Sequence, residues 1–182
     1  MREWIPTSAS AKGRLVLAAL EAFGREGYAA VAVAELARAA KTTTGPLYHH
    51  FDGKLGLYTF VRDDVERRLL DRLEGAMAVG ADPSEALVVG FDYAARAGFA
   101  RMLSEPHPDS RTDPIAALLT EQLTAAPRPL GAMLAAAWRA ALAASAAGAP
   151  DDVVRAAIRS LSVSPGDGRQ KREGVIDDQP RA

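Results

Sequence analysis

No cysteine occurs among the 182 residues, which removes disulfides, thiolate metal cages and cysteine nucleophiles together. Histidine is scarce, at three. Two of them, His49 and His50, are neighbours whose side chains point about 100° apart on a helix, which serves a shared ion poorly. No Gly-rich phosphate loop, HExxH or GxSxG pattern is present. The paired carboxylates Asp63/Asp64 and Asp151/Asp152 are sequence neighbours at solvated helix faces or starts. We therefore assign no catalytic residue, no metal ligand and no cofactor, and expect a protein that is not an enzyme. No stretch approaches about 18 apolar residues free of charge; the alanine-rich run 131–149 comes nearest and is interrupted by Arg139. The opening MREWIPTSASAKGR has no apolar run followed by a small-residue cleavage site. A soluble, cytoplasmic protein with no membrane segment is expected.

Neither sign of charge dominates: the formal net charge is -1. Through Lys54 there are seven basic residues against five acidic, and beyond it 15 against 18. So weak an asymmetry does not by itself indicate a nucleic-acid surface.

Helical periodicity runs through most of the chain. Over 11–26, Leu15, Ala18, Ala19, Ala22 and Phe23 recur at three and four, with Ser8 or Ser10 to cap the start and Gly27 to stop it. A short helix is predicted over 33–40, with Val33, Leu36, Ala37 and Ala40 inward. A third is predicted over 44–50, with Pro46 in its first turn, where backbone amides lack intrahelical acceptors anyway. Asp52 is the expected cap of a long helix over 54–77 whose inward stripe is Leu55, Tyr58, Val61, Val65, Leu69 and Leu73, with RDD, ERR and DR facing water. Further helices are expected over 83–104, 113–125, 129–147 and 151–161, with a proline-rich loop over 105–114. Residues 163–182 combine Gly, Pro and charge with few apolar residues, the composition of a disordered tail. The expected fold is all-α: a helix-turn-helix head over 1–53, a helical regulatory and dimerisation bundle over 54–162, and the tail.

The pair 33–40 and 44–50 has the dimensions of a helix-turn-helix, in which the second helix enters the major groove. TTTGPLYHHF, from Thr42 to Phe51, opens that second helix. Thr43 and Thr44 can cap it or bond phosphate, Gly45 permits close approach, and Tyr48, His49 and His50 supply donors one turn on. Leu47 and Phe51, four apart, hold the helix to its neighbours. For the histidines, a metal site and plain solvated surface are the competing readings.

RLVLAALEAFGREGYAAVAVAELARAAKTTTGPLYHHFDGKLGL, from Arg14 to Leu57, resembles the DNA-binding domain of the TetR family of bacterial transcriptional regulators, over roughly a quarter of the chain. LYHHF followed by Lys54 is its sharpest part. The resemblance implies a dimer that binds palindromic double-stranded operator DNA, as a repressor released by a small-molecule effector bound in the bundle. DNA contacts are expected on Lys41, Thr43, Thr44, Gly45, Pro46, Tyr48, His49, His50 and Lys54, with Tyr48 and Lys54 on phosphates and Thr44, Gly45, Pro46 and His49 nearest base edges. Two features depart from the family pattern. Val31 and Ala32 stand where a capping Thr or Ser is usual, a loss of about 0.5–2 kcal/mol, and Thr44 stands where a cation is common. The alternative reading is a small-molecule-binding or protein-interaction bundle whose head has lost operator binding.

Within the bundle, Phe91, Phe99, Met102, Met133 and Trp138 are candidate lining for an apolar ligand cavity, or equally core. Arg96, His107, Gln122 and Arg139 are candidate polar anchors. Gly131, Ala132, Ala135, Ala136, Ala140, Ala143 and Ala147 place small side chains along one helix, and Val153, Val154, Ala157, Ile158 and Leu161 make the next amphipathic. These two helices are the expected homodimer surface, Ile158 included.

Overall fold

The computed structural model describes residues 10–107, 113–124 and 126–161. All regular structure among them is helical: α1 Ala11–Ala30, α2 Val33–Ala39, α3 Gly45–Phe51, α4 Lys54–Ala78, α5 Pro83–Arg96, α6 Ala100–Ser104, α7 Pro114–Gln122, α8 Pro129–Ala146 and α9 Asp151–Arg159. The expected all-α class is what forms. The tail 163–182 lies outside the described residues.

Local chemistry sets the helix ends. At the start of α1 the Ser10 hydroxyl accepts the Gly13 N–H at 2.9 Å, the capping bond that satisfies one of the first orphan donors. Asp82 caps α5 by accepting from the Ser84 and Glu85 amides at 2.8 and 3.1 Å. Helix α2 ends in a Schellman motif: the Lys41 N–H reaches the Arg38 carbonyl at 3.1 Å and the Thr42 N–H the Ala37 carbonyl at 2.9 Å. The left-handed residue of that motif is Lys41, with φ 50°, where glycine is the usual occupant.

Three sequence expectations change. Residues 83–104 are two helices, because Gly98 at φ 74° ends α5 in a second Schellman motif. Asp52, at φ 57°, closes α3 rather than capping α4, and Gly53 at φ 115° stands at the head of α4. Leu55 is half exposed, while Leu57 is fully buried. Gly56 faces the Phe51 carbonyl with no room for a Cβ, so α4 starts pressed against α3 and turns Leu57 and Tyr58 inward.

One continuous core runs from Leu15, Phe23 and Leu47 in the head, through Tyr58, Val61, Val65, Leu69 and Leu73 of α4, to Phe91, Trp138 and Ile158. Helix α4 therefore belongs to both parts. Trp138 is fully buried and its indole N–H donates to the Leu87 carbonyl at 2.9 Å. Helix α9 lies on α5, where Arg155 pairs with Asp92 at 2.6 Å and Arg159 with Glu85 at 2.8 Å. Ile158 points into that contact and is fully buried within a single chain, so it is not part of an outer face. No described helix is long and apolar enough to cross a membrane.

Candidate nucleic-acid interface

Helices α2 and α3 are joined by residues 40–44 and fixed from below. Leu36, Ala37 and Ala40 bury the inner side of α2, and Leu47 and Phe51 bury that of α3. From α1, Arg14 Nε donates to the Ala40 carbonyl at 2.8 Å, tying down the last residue before the turn. Lys12 lies 5.6 Å from the Phe51 ring centroid and 5.5 Å from that of Phe60, a cation over two aromatic faces.

What remains outward is the set read from the sequence. Lys41, Thr43, Thr44, Gly45, Tyr48, His49 and His50 are exposed, and Pro46 is partly so. The His49 and His50 rings meet at 4.9 Å between centroids. Thr44 is the N-cap residue of α3, but its hydroxyl makes no capping bond. Lys54 stands apart from this set. Its Nζ sits 4.4 Å from the Tyr28 ring centroid and 3.4 Å from the Ala29 carbonyl, so it is engaged with the end of α1. At the start of α2 the cap residue is Ala32, and only the return bond forms, from the Ala32 N–H to Glu35 Oε2 at 3.2 Å. Val31 is buried. The missing hydroxyl therefore matters at Ala32 alone.

This framed, outward-facing second helix is matched by a known sequence pattern, since residues 15–59 fit the description bacterial regulatory proteins, tetR family. The head is a TetR-family DNA-binding domain.

Solved structures extend the likeness of fold beyond the TetR-family head. FadR, a fatty acid degradation regulator from Bacillus halodurans, is 16% identical, with a TM-score of 0.63 over 82% of this chain and 97% of that one. A transcriptional regulator from Rhodococcus sp. Rha1 is 21% identical, with a TM-score of 0.66 over 84% and 94%. A protein described in connection with control of antibiotic production by bacterial hormones is 22% identical, with a TM-score of 0.59 over 87% and 95%.

Behind the TetR-family head, α4 carries a polar cluster that sequence reading missed. Arg62 and Glu66 belong to RDD and ERR, expected in water, yet both are buried. Arg62 Nε donates to Glu66 at 3.1 Å, its Nη1 to the Tyr58 hydroxyl at 2.9 Å and the Pro106 carbonyl at 3.0 Å, and its Nη2 to the Glu105 carbonyl at 2.6 Å. Arg139 of α8 reaches Asp113 at 2.6 Å, Glu66 at 3.5 Å and the Leu103 carbonyl. Burial pushes the Asp113 carboxyl up, but Arg139 and the Ile115 and Ala116 amides outweigh it and hold it below the usual carboxylate range. Burial pushes the Tyr58 hydroxyl up to about 12, the Glu105 charge adding to the rise and Arg62 opposing it. The available signal was spacing: Tyr58, Arg62, Glu66, Leu69 and Leu73 share one helical face.

The fold also brings His107 to this cluster, 3.2 Å from Asp63. Ligand atoms of Asp63, Glu66 and His107 lie within 4.8 Å of one another, so the residue set could hold a cation by spacing. Arg62 and Arg139 already neutralise Glu66, and the arrangement is that of an ion-pair network.

The five candidate lining residues do not surround one space. Phe91, Met102 and Trp138 are fully buried side chains of the core, whereas Met133 is 64% exposed on α8. Phe99 alone borders an open cleft of about 700 Å³, between α1, the α5–α6 turn and the α8–α9 turn.

Proposed function

We propose that the protein is a sequence-specific transcriptional regulator, a repressor that holds double-stranded operator DNA through α3 and is released by a small-molecule effector. The observation that carries this reading is the division of α3 into a buried side, Leu47 and Phe51, and an exposed side of Thr44, Gly45, Tyr48 and His49. A recognition helix needs just that division, one side fixed in the head and the other offered to base edges. Lys41, Thr43, Pro46 and His50 complete the contact set, with Lys54 at its border.

Residues 1–53 are the DNA-binding part and 54–162 the regulatory and dimerising part in this reading. Homodimerisation is supported by α8 and α9, which leave Ala132, Met133, Ala136, Ala140, Ala143, Val153, Ala156 and Ala157 exposed along adjacent helices. Effector control is in keeping with neighbours of this fold described in fatty acid degradation and in hormone control of antibiotic production. The expected apolar or aromatic character of the effector rests, among the candidate lining residues, on Phe99 alone, since Phe91, Met102 and Trp138 are core and Met133 is exposed.

The test is a gel shift on DNA flanking the protein's own gene, with random DNA of equal length beside it. A specific shift that His49→Ala redirects to other sequences supports the reading. Equal binding to both DNAs would instead favour the alternative of a bundle whose head no longer reads operators. The uncapped Ala32 and the engagement of Lys54 with Tyr28 are the observations on that side.

A further inference from the structure

We propose that Glu105 is a positioning residue for the head, a carboxylate delivered from the bundle that sets the angle at which α1, and with it α2 and α3, sits on α4. This rests on the operator-binding reading only for its consequence on DNA; the geometry stands by itself.

The Glu105 backbone is held by the bundle side of the molecule. Its carbonyl accepts from Arg62 Nη2 at 2.6 Å and the next carbonyl, of Pro106, from Nη1 at 3.0 Å. Arg62 is in turn fully buried and paired with Glu66, which Arg139 of α8 also contacts. The side chain points the other way. Glu105 Oε2 accepts the Tyr28 backbone N–H at 3.1 Å and the Tyr58 hydroxyl at 3.1 Å. Its Oε1 lies 4.0 Å from Arg101 and against Gly27, where a Cβ would strike it.

Gly27 explains why the contact is possible. At φ 79° and ψ 177° it holds a conformation essentially restricted to glycine. The kink turns the Tyr28 N–H towards the carboxylate, which accepts it at 3.1 Å. Tyr28 also carries the Lys54 ammonium over its ring, 4.4 Å away, and packs on Tyr58 at 4.9 Å between centroids. One carboxylate thus joins the end of α1, the start of α4 and the segment after α6, and its far neighbour Lys54 borders α3. A change at the α6–α7 segment that withdrew Glu105 would free α1 at this point without disturbing the head's own core.

The chain has no cysteine, so spin labels can be placed at Ala34→Cys on α2 and Val79→Cys at the end of α4, both exposed. Labelled protein diluted with unlabelled protein reports the distance from head to bundle inside one chain. Glu105→Ala should broaden or shift that distribution while circular dichroism stays native. Glu105→Gln, which keeps an acceptor for the Tyr28 N–H, should stay close to the parent. Operator affinity should fall about tenfold in Glu105→Ala, equal to about 1.4 kcal/mol, and much less in Glu105→Gln. Should Glu105→Ala fail to fold, Tyr58→Phe removes the hydroxyl donor while keeping the ring. An unchanged distance distribution in the folded variants overturns the proposal, even if DNA affinity falls. A broadened distribution in a protein that never binds specific DNA leaves Glu105 as the positioning residue and sinks the operator reading instead.

Discussion

Lys41 shows how one residue can serve two competing demands. It is the left-handed residue of the turn between α2 and α3, at φ 50°, and a side chain there costs roughly 1 kcal/mol against glycine. It is also an exposed cation just ahead of α3, the proposed recognition helix. Lys41→Gly is therefore expected to raise the denaturation midpoint while flattening the dependence of log affinity on log salt by about one unit. A variant that is more stable and has an unchanged salt slope would remove Lys41 from the DNA contacts. Asp113 offers a second residue-level test. Its carboxyl is held below the usual value in the folded protein, so its contribution is full above the unfolded value of about 3.9 and is lost as pH falls through the lower folded value. Asp113→Asn keeps a capping side chain for α7 but loses the charge opposite Arg139. We expect it to be less stable than the parent by about 1.5–3 kcal/mol at pH 7. The gap should begin to close below about pH 4, as urea unfolding across that range would record.

The short helices depend on their ends more than on their length. At seven residues, α2 is too short to be stable alone and is held by Leu36 and Ala37 beneath it and by the Glu35 side chain reaching back to the Ala32 amide. Ala32 has the extended backbone of a cap residue, at φ -95° and ψ 146°, without the hydroxyl. Ala32→Ser should complete the reciprocal pair and stabilise the protein by about 0.5–2 kcal/mol. In the operator-binding reading the same hydroxyl would also be free to meet a phosphate, so tighter operator binding by fluorescence anisotropy is expected alongside. Greater stability with no gain in affinity would show that the cap serves only the fold.

For the whole molecule the distinction that matters is between faces that close the chain on itself and faces left open. Helix α9 illustrates both. Val154 and Ile158 are buried against the bundle, while Val153 is 58% exposed. A charge at Val153 is expected to shift light scattering towards monomer with unfolding unchanged. Ile158→Asp places an unpaired charge in the core and should cost more than about 3 kcal/mol of stability, whatever the oligomeric state. If Val153→Glu remains a dimer at micromolar concentration, the open face of α8 and α9 is not where two copies meet.

Much of this molecule was legible in the sequence because its causes are local. Apolar spacing gave α1, α2, α3 and α4 their places, since a helix with one buried side repeats at three and four residues. The exposed set on α3 followed from the same period, with Leu47 and Phe51 fixing which side must face in. Ser10 and the prolines marked helix starts, because the donors they satisfy or omit lie within one turn. Tertiary structure decided the rest. Arg62 and Glu66 carry the charges of a solvated face, and only the approach of α6, α7 and α8 to α4 makes them interior. Glu105 sits in what reads as a polar loop, and its partners lie 77 and 47 residues away. Ile158 and Val153 belong to the same amphipathic pattern, and which of them was covered depended on α5 supplying Asp92 and Glu85 to the arginines of α9. Periodicity says that a face must be buried; the partner that buries it is chosen by packing between segments far apart in the chain.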